Sequence, residues 1–138
     1  MQNAEVRMQN EGRAQQPPER AAMAGDDLKL RTKEFAKRII KLCRSLPETR
    51  EGRLIGNQLF RAGTSVGANY RAACRGRSKA DFIAKLGIVL EEADECLYWI
   101  ELIVETGLVK SELLGPLTEE AEELVSIFVA SLNTAKGR

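Results

Sequence analysis

The sequence predicts an all-α fold, an antiparallel up-down-up-down four-helix bundle, and three observations predict it. Apolar residues recur at alternating three- and four-residue spacings along four separate stretches. The stretches are joined by short connections that carry helix-stopping residues, Pro47, Gly76 and Gly107 among them. Aromatic residues make up only 5% of a chain that is 30% charged, a balance that suits helices better than a sandwich of strands. With 138 residues the chain is expected to form one domain, large enough to bury a single core.

Residues 1–25 are rich in Gln, Ala and Pro and have no periodic apolar face, so they read as a disordered extension, with the bundle occupying 26–138. The first helix follows Asp26 and Asp27, acids well placed at a helix start. Its inward seam is Phe35, Ile39, Leu42 and Leu46, with Lys33, Lys37, Lys41 and Arg44 on the opposite side, and Pro47 stops it.

The second helix, about Glu48 to Cys74, contains the stretch GTSVGANY, which looks like a loop but keeps helical spacing. One seam is Ile55, Leu59, Ala62, Val66, Asn69 and Ala73, and the seam one residue along is Gly56, Phe60, Gly63, Gly67, Tyr70 and Cys74. Each glycine inside a helix costs about 1 kcal/mol relative to alanine. Gly63 and Gly67, four apart on one stripe, are therefore expected where another element approaches closely. Asn69, in an apolar seam, is expected to be a satisfied structural polar residue, with Ser65 one turn earlier reaching across to the third helix.

Gly76 suits the end of that helix, and Ser78 followed by Asp81 resembles a capping box. The third helix, Lys79 to about Thr106, carries two adjacent apolar seams: Ile83, Leu86, Leu90, Ala93, Leu97, Ile100 and Val104, then Phe82, Val89, Cys96 and Ile103. Apolar nearly all round near Trp99, it is expected to support self-association. Gly107 closes it, Ser111 is placed to cap the next segment, and Gly115–Pro116 reads as an interruption before a fourth helix from about Leu117 to Thr134. Its inward residues are Leu117, Ala121, Leu124, Phe128 and Leu132, behind the acids Glu119, Glu120, Glu122 and Glu123.

Composition excludes much chemistry. The chain has no histidine, which removes the commonest general base and metal ligand, so triad hydrolases and histidine-containing metal sites are not expected. Glu91, Glu92, Asp94 and Glu95 supply carboxylates at helical spacing, but bundle metal sites of that kind normally include histidine. Cys43, Cys74 and Cys96 lack paired spacing and read as small buried hydrophobes in a reducing cytoplasm. No enzyme activity, metal or cofactor is expected, and neither is a secretory signal or a membrane span.

A net charge of +1 conceals a division. Residues 29–79 hold fourteen Lys and Arg against three acids, whereas residues 80–138 hold four against twelve. Such asymmetry points to electrostatic partnering, with a polyanion or between copies of the chain. In an up-down-up-down bundle one end collects Lys29, Arg31, Lys33, Arg71, Arg75, Arg77, Lys79, Lys136 and Arg138, a surface suited to phosphate contacts. Arg61 falls opposite the Glu91 to Glu95 region, where an ion pair between helices or subunits is expected. Tyr98–Trp99 could offer a stacking platform but reads first as core or interface.

The stretches DLKLRTKEFAKRIIKL, RSLP and GNQLFRAGTSVGANYRAACRGRSKADFIAKLGIVLEEADECLYWIELI resemble the bacterial four-helix-bundle family that includes proteins encoded in intervening sequences of large-subunit ribosomal RNA genes. The accessory variability proteins of diversity-generating retroelements belong to the same wider group. The likeness runs from about Asp26 to Asn133 and is most specific from Arg61 to Phe82. It implies a ring, commonly a homopentamer, without enzymatic activity in most members. For the retroelement relatives it implies a basic surface that engages nucleic acid and a reverse transcriptase. Two functions remain open: a non-enzymatic homo-oligomer that binds RNA or DNA through backbone phosphates, and a scaffold whose basic and acidic halves complement one another or dock a protein partner.

Overall fold

The computed structural model describes residues 17–138, with side chains from Gly25 onward. Four long helices succeed one another: α1 (Pro17–Ser45), α2 (Arg50–Cys74), α3 (Lys79–Glu105) and α4 (Gly115–Ala135), with a single 3-10 turn (Ser111–Leu113) before the last. The described residues contain no strand. Consecutive helices pack backbone to backbone, α1 on α2, α2 on α3 and α3 on α4. The all-α four-helix architecture is therefore as expected.

Two boundaries differ. α1 starts at Pro17, ahead of Asp26, so its first turns include the second part of the expected extension. Proline fits a first helical turn, where its missing N–H has no partner to lose, and Ala21, Ala22 and Ala24 favour helix. Residues 1–16 of that extension lie outside the described residues. For the same reason Gly115–Pro116 begins α4 instead of interrupting it, with Pro116 in the first turn.

The connections are held by local hydrogen bonds. Thr49 caps α2, its hydroxyl accepting from the Gly52 N–H at 3.1 Å. Ser78 caps α3, accepting from the Asp81 N–H at 3.1 Å. The Asp81 carboxylate replies one residue further back than a standard capping box would, accepting from the Arg77 N–H at 3.1 Å. That bond, then the ion pair with Lys85, holds the Asp81 carboxyl below the usual carboxylate range. Gly107 ends the α3 connection at φ +73°, a conformation L side chains rarely adopt.

The core is aliphatic, with Ile39, Leu59, Val66, Leu86, Val89, Ile100, Ile103 and Leu124 fully enclosed beside Phe35 and Phe128. Tyr70 packs at a tilt on Phe128 with ring centroids 5.7 Å apart, and burial pushes its phenol well above the ordinary value. On α3 both expected seams supply buried residues, Leu86, Ala93 and Ile100 from one and Val89, Cys96 and Ile103 from the other. Two flanking helices within the chain already account for that breadth.

The inward face of α2 takes in both expected seams, with Leu59, Ala62, Val66 and Ala73 from the first and Gly56, Gly63 and Tyr70 from the second. Gly52, Gly56, Leu59, Ala62, Gly63, Val66, Tyr70 and Ala73 are buried, while Asn69 is half-exposed and Tyr70 occupies the core at that level. Asn69 makes no side-chain hydrogen bond among the described residues, and Ser65 donates to the Arg61 carbonyl of its own helix at 2.6 Å rather than crossing to α3. The glycines explain why the second seam also turns inward. A Cβ on Gly63 would stand 2.6 Å from Cγ2 and 2.8 Å from Cγ1 of Ile39, a fully buried side chain of α1. The stripe is the seat of α1, and much of it is filled within the chain. Gly63→Val is expected to destabilise the protein by about 2 kcal/mol through overpacking, read as a lower urea midpoint; an unchanged midpoint would mean that α1 is not seated there.

Candidate nucleic-acid interface

α1 presents Lys33, Lys37, Lys41 and Arg44 to solvent, because its other side carries Phe35, Ile39 and Leu42 into the core. Arg38, outside the expected set of cations, is exposed among them. Lys37 pairs with Glu34 at 3.1 Å one turn earlier. At the far end of α2, Arg71 is exposed in the last turn, Arg75 occupies the cap, Arg77 lies in the turn and Lys79 opens α3, all exposed. The eight expected cations thus form a cluster at the α2–α3 turn and a stripe along α1.

Lys33 and Arg71 come together in a groove between α1 and α2. It encloses about 430 Å³ and is lined also by Lys29, Leu30, Ala36, Gly67 and Ala68, with Asp26, Thr32 and Thr64. Asp26 lies 4.0 Å from Lys29. Gly67 belongs here because a Cβ would meet Thr32 Oγ1 at 3.1 Å.

Arg31 departs from the expected basic end. It is buried, with 3% of its side chain exposed, and points between α1 and α4. Its Nε and Nη2 donate to the two carboxylate oxygens of Glu120 at 2.8 and 2.7 Å, and Nη2 also donates to Glu123 at 2.7 Å. The Glu120 hydrogen bond outweighs burial and holds the guanidinium charged. Two acids of the expected acidic helix therefore pair with a cation of the same chain, Glu120 mostly buried and Glu123 exposed. Extending the seam of α1 backwards from Phe35 lands on Arg31 and Thr32, the signal that could have placed them inward. Thr32, fully buried, satisfies itself by donating to the Leu28 carbonyl at 2.7 Å.

Arg61 of α2 reaches across to α3. Nη1 donates to both oxygens of Glu92 at 3.2 Å, and Nη2 donates to Glu95. Trp99 Nε1 donates to Glu95 at 3.0 Å, which together with Arg61 holds that carboxyl below its ordinary value. Glu91 points to solvent, so the partners are Glu92 and Glu95. Tyr98, edge-on to Trp99 at 5.0 Å, is exposed rather than core. Of the cysteines only Cys96 is buried, its thiol pushed up chiefly by burial. Cys43 is half-buried and Cys74 is exposed, because the stripe ending in Cys74 leaves the core at Tyr70.

Among the described residues no group of three or more Cys, Asp and Glu side chains is arranged to hold a metal ion. No described helix is long and apolar enough to cross a membrane. Residues 27–130 match the model of the family described as 23S rRNA-intervening sequence protein. The chain belongs to that family. A solved structure, a protein of unknown function from the S23 ribosomal protein family of Bacteroides thetaiotaomicron, is 36% identical with a TM-score of 0.71. The match covers 75% of this chain and 96% of that one. No curated protein matches the chain. Membership of the intervening-sequence family accounts for a small helical protein of this architecture.

Proposed function

We propose that this intervening-sequence family member is a non-enzymatic, cytoplasmic homo-oligomer that binds nucleic acid, RNA in the first instance, through backbone phosphates. The observation that carries it is the convergence of Lys29, Lys33 and Arg71 on one groove, beside an outer face of α1 that exposes Lys37, Arg38, Lys41 and Arg44. Phosphate contacts from such a surface position a chain without reading its sequence. The family's name, which carries 23S rRNA, supports RNA as the polyanion. Self-association, in a ring of the pentameric kind, is what the resemblance implies, and Leu54, Phe60, Ile88, Tyr98, Leu113 and Val129 are the exposed apolar side chains available for it to cover. A ring would repeat the basic surface and raise the effective concentration of its phosphate contacts.

A scaffold reading draws on the acids Glu91, Asp94, Glu101 and Glu105, exposed along α3, which could complement the cationic face of a second copy. Salt separates the two readings. Light-scattering mass on a sizing column, with a pool of structured RNA and duplex DNA, should show an assembly that gains mass at low salt and sheds it as salt rises. An assembly that ignores nucleic acid and falls apart in salt would replace the phosphate reading with the scaffold.

A further inference from the structure

Leu30 stands half-exposed, at 49%, in the wall of the α1–α2 groove, and Lys29, Lys33 and Arg71 share that wall. A single exposed leucine is ordinary on a protein surface; here it forms part of a concave recess with three cations around it, and that combination is what suits a ligand with both a charged and a flat apolar part. Ala36, Gly67 and Ala68 carry no long side chains, so the recess stays open. Its neutral hydroxyls are already engaged: Thr32 donates to the Leu28 carbonyl at 2.7 Å and Thr64 to the Phe60 carbonyl at 2.8 Å. The recess therefore offers positive charge and apolar area, with one carboxylate, Asp26, beside Lys29.

We infer that this groove holds one unpaired nucleotide of a single RNA strand, its phosphate against Lys29 and Lys33 and its base laid over Leu30 and Ala68 beside the Arg71 guanidinium. The inference rests on the phosphate-binding reading and deepens it by naming the form of nucleic acid. A duplex keeps its bases stacked inside and has nothing apolar to place in a recess, whereas a single strand can splay a base onto an aliphatic or guanidinium surface. Charge complementarity commits the site to a phosphate-bearing strand, because Lys29, Lys33 and Arg71 face it against the single carboxylate of Asp26.

The test compares a labelled oligouridylate with a blunt RNA duplex of equal length, by fluorescence anisotropy on the full chain. Ala68→Leu fills the recess and leaves every cation in place; Leu30→Ser removes the apolar wall at a position that tolerates a polar side chain. Each is expected to lower oligouridylate affinity by about tenfold, the worth of covering one aliphatic side chain, with duplex affinity unchanged. Circular dichroism melting checks that both variants fold. Two results overturn the inference while sparing the phosphate-binding reading: equal losses on strand and duplex, or no loss on either. A wild-type chain that binds neither RNA overturns both.

Discussion

Arg31→Ala is expected to lower stability by about 3 kcal/mol, near the lower end of the cost of breaking a buried ion pair, and to reduce the melting temperature by about 10 °C. The position explains the size. α1 and α4 are first and last in the chain, and their backbones approach less closely than those of consecutive helices. Arg31 spans the difference with a forked contact to Glu120 and a second contact to Glu123. Removing it leaves Glu120, only 15% exposed, without its cation, and also withdraws the aliphatic stem packed between the helices. Glu123, 47% exposed, recovers water and adds little to the loss. Arg31→Lys should recover part of it, because an ammonium keeps the charge but cannot make the planar two-point contact. Arg31→Met combined with Glu120→Leu should lose less than Arg31→Ala alone, since replacing both partners leaves no unpaired charge. Urea unfolding of the three variants checks this, and an Arg31→Ala midpoint equal to wild type would show that the bridge does not hold α1 to α4.

How much of this was legible in the sequence depends on what each residue's neighbours are. The inward residues of α1 and α4 could be read directly, because Phe35, Ile39 and Leu42, and Leu124, Phe128 and Leu132, carry an apolar signal at every turn. On α2 the signal was divided between two seams one residue apart. Glycine adds nothing to a hydrophobic pattern, so a face built on Gly52, Gly56 and Gly63 is hard to see, although those are the residues that let α1 approach. Asn69 falls in the first of those seams, but the larger and more apolar Tyr70 takes the core at that level.

Arg31 was harder, because its partners lie 89 and 92 residues away and it sits in a run of exposed lysines. Only its register with Phe35 and Ile39 distinguishes it from Lys29 and Lys33. The candidate interface was legible as a set of cations and a topology that gathers them. Its concavity was not, since the recess depends on Ala36, Gly67 and Ala68 facing one another across two helices. A small residue announces a gap only when the opposite wall is known.

Reversing Arg71, Arg75 and Arg77 together to glutamate is expected to abolish nucleic-acid binding, with a fall in affinity on the order of a hundredfold or more at moderate salt. The salt dependence of whatever binding remains should become shallower by about three units of slope, one for each lost phosphate contact. All three side chains are exposed, so the bundle should keep its helix content and its assembled mass. The α3 cap is also spared, because Arg77 contributes its backbone N–H to Asp81 and not its guanidinium. Arg71 differs from the other two in lining the α1–α2 groove. Arg71→Glu alone should therefore depress single-strand binding more than duplex binding, while Arg75→Glu and Arg77→Glu weaken both alike. If the triple variant binds RNA as wild type does but its assembly dissociates, the cations serve the contacts between copies, and the scaffold reading takes the place of the phosphate-binding one.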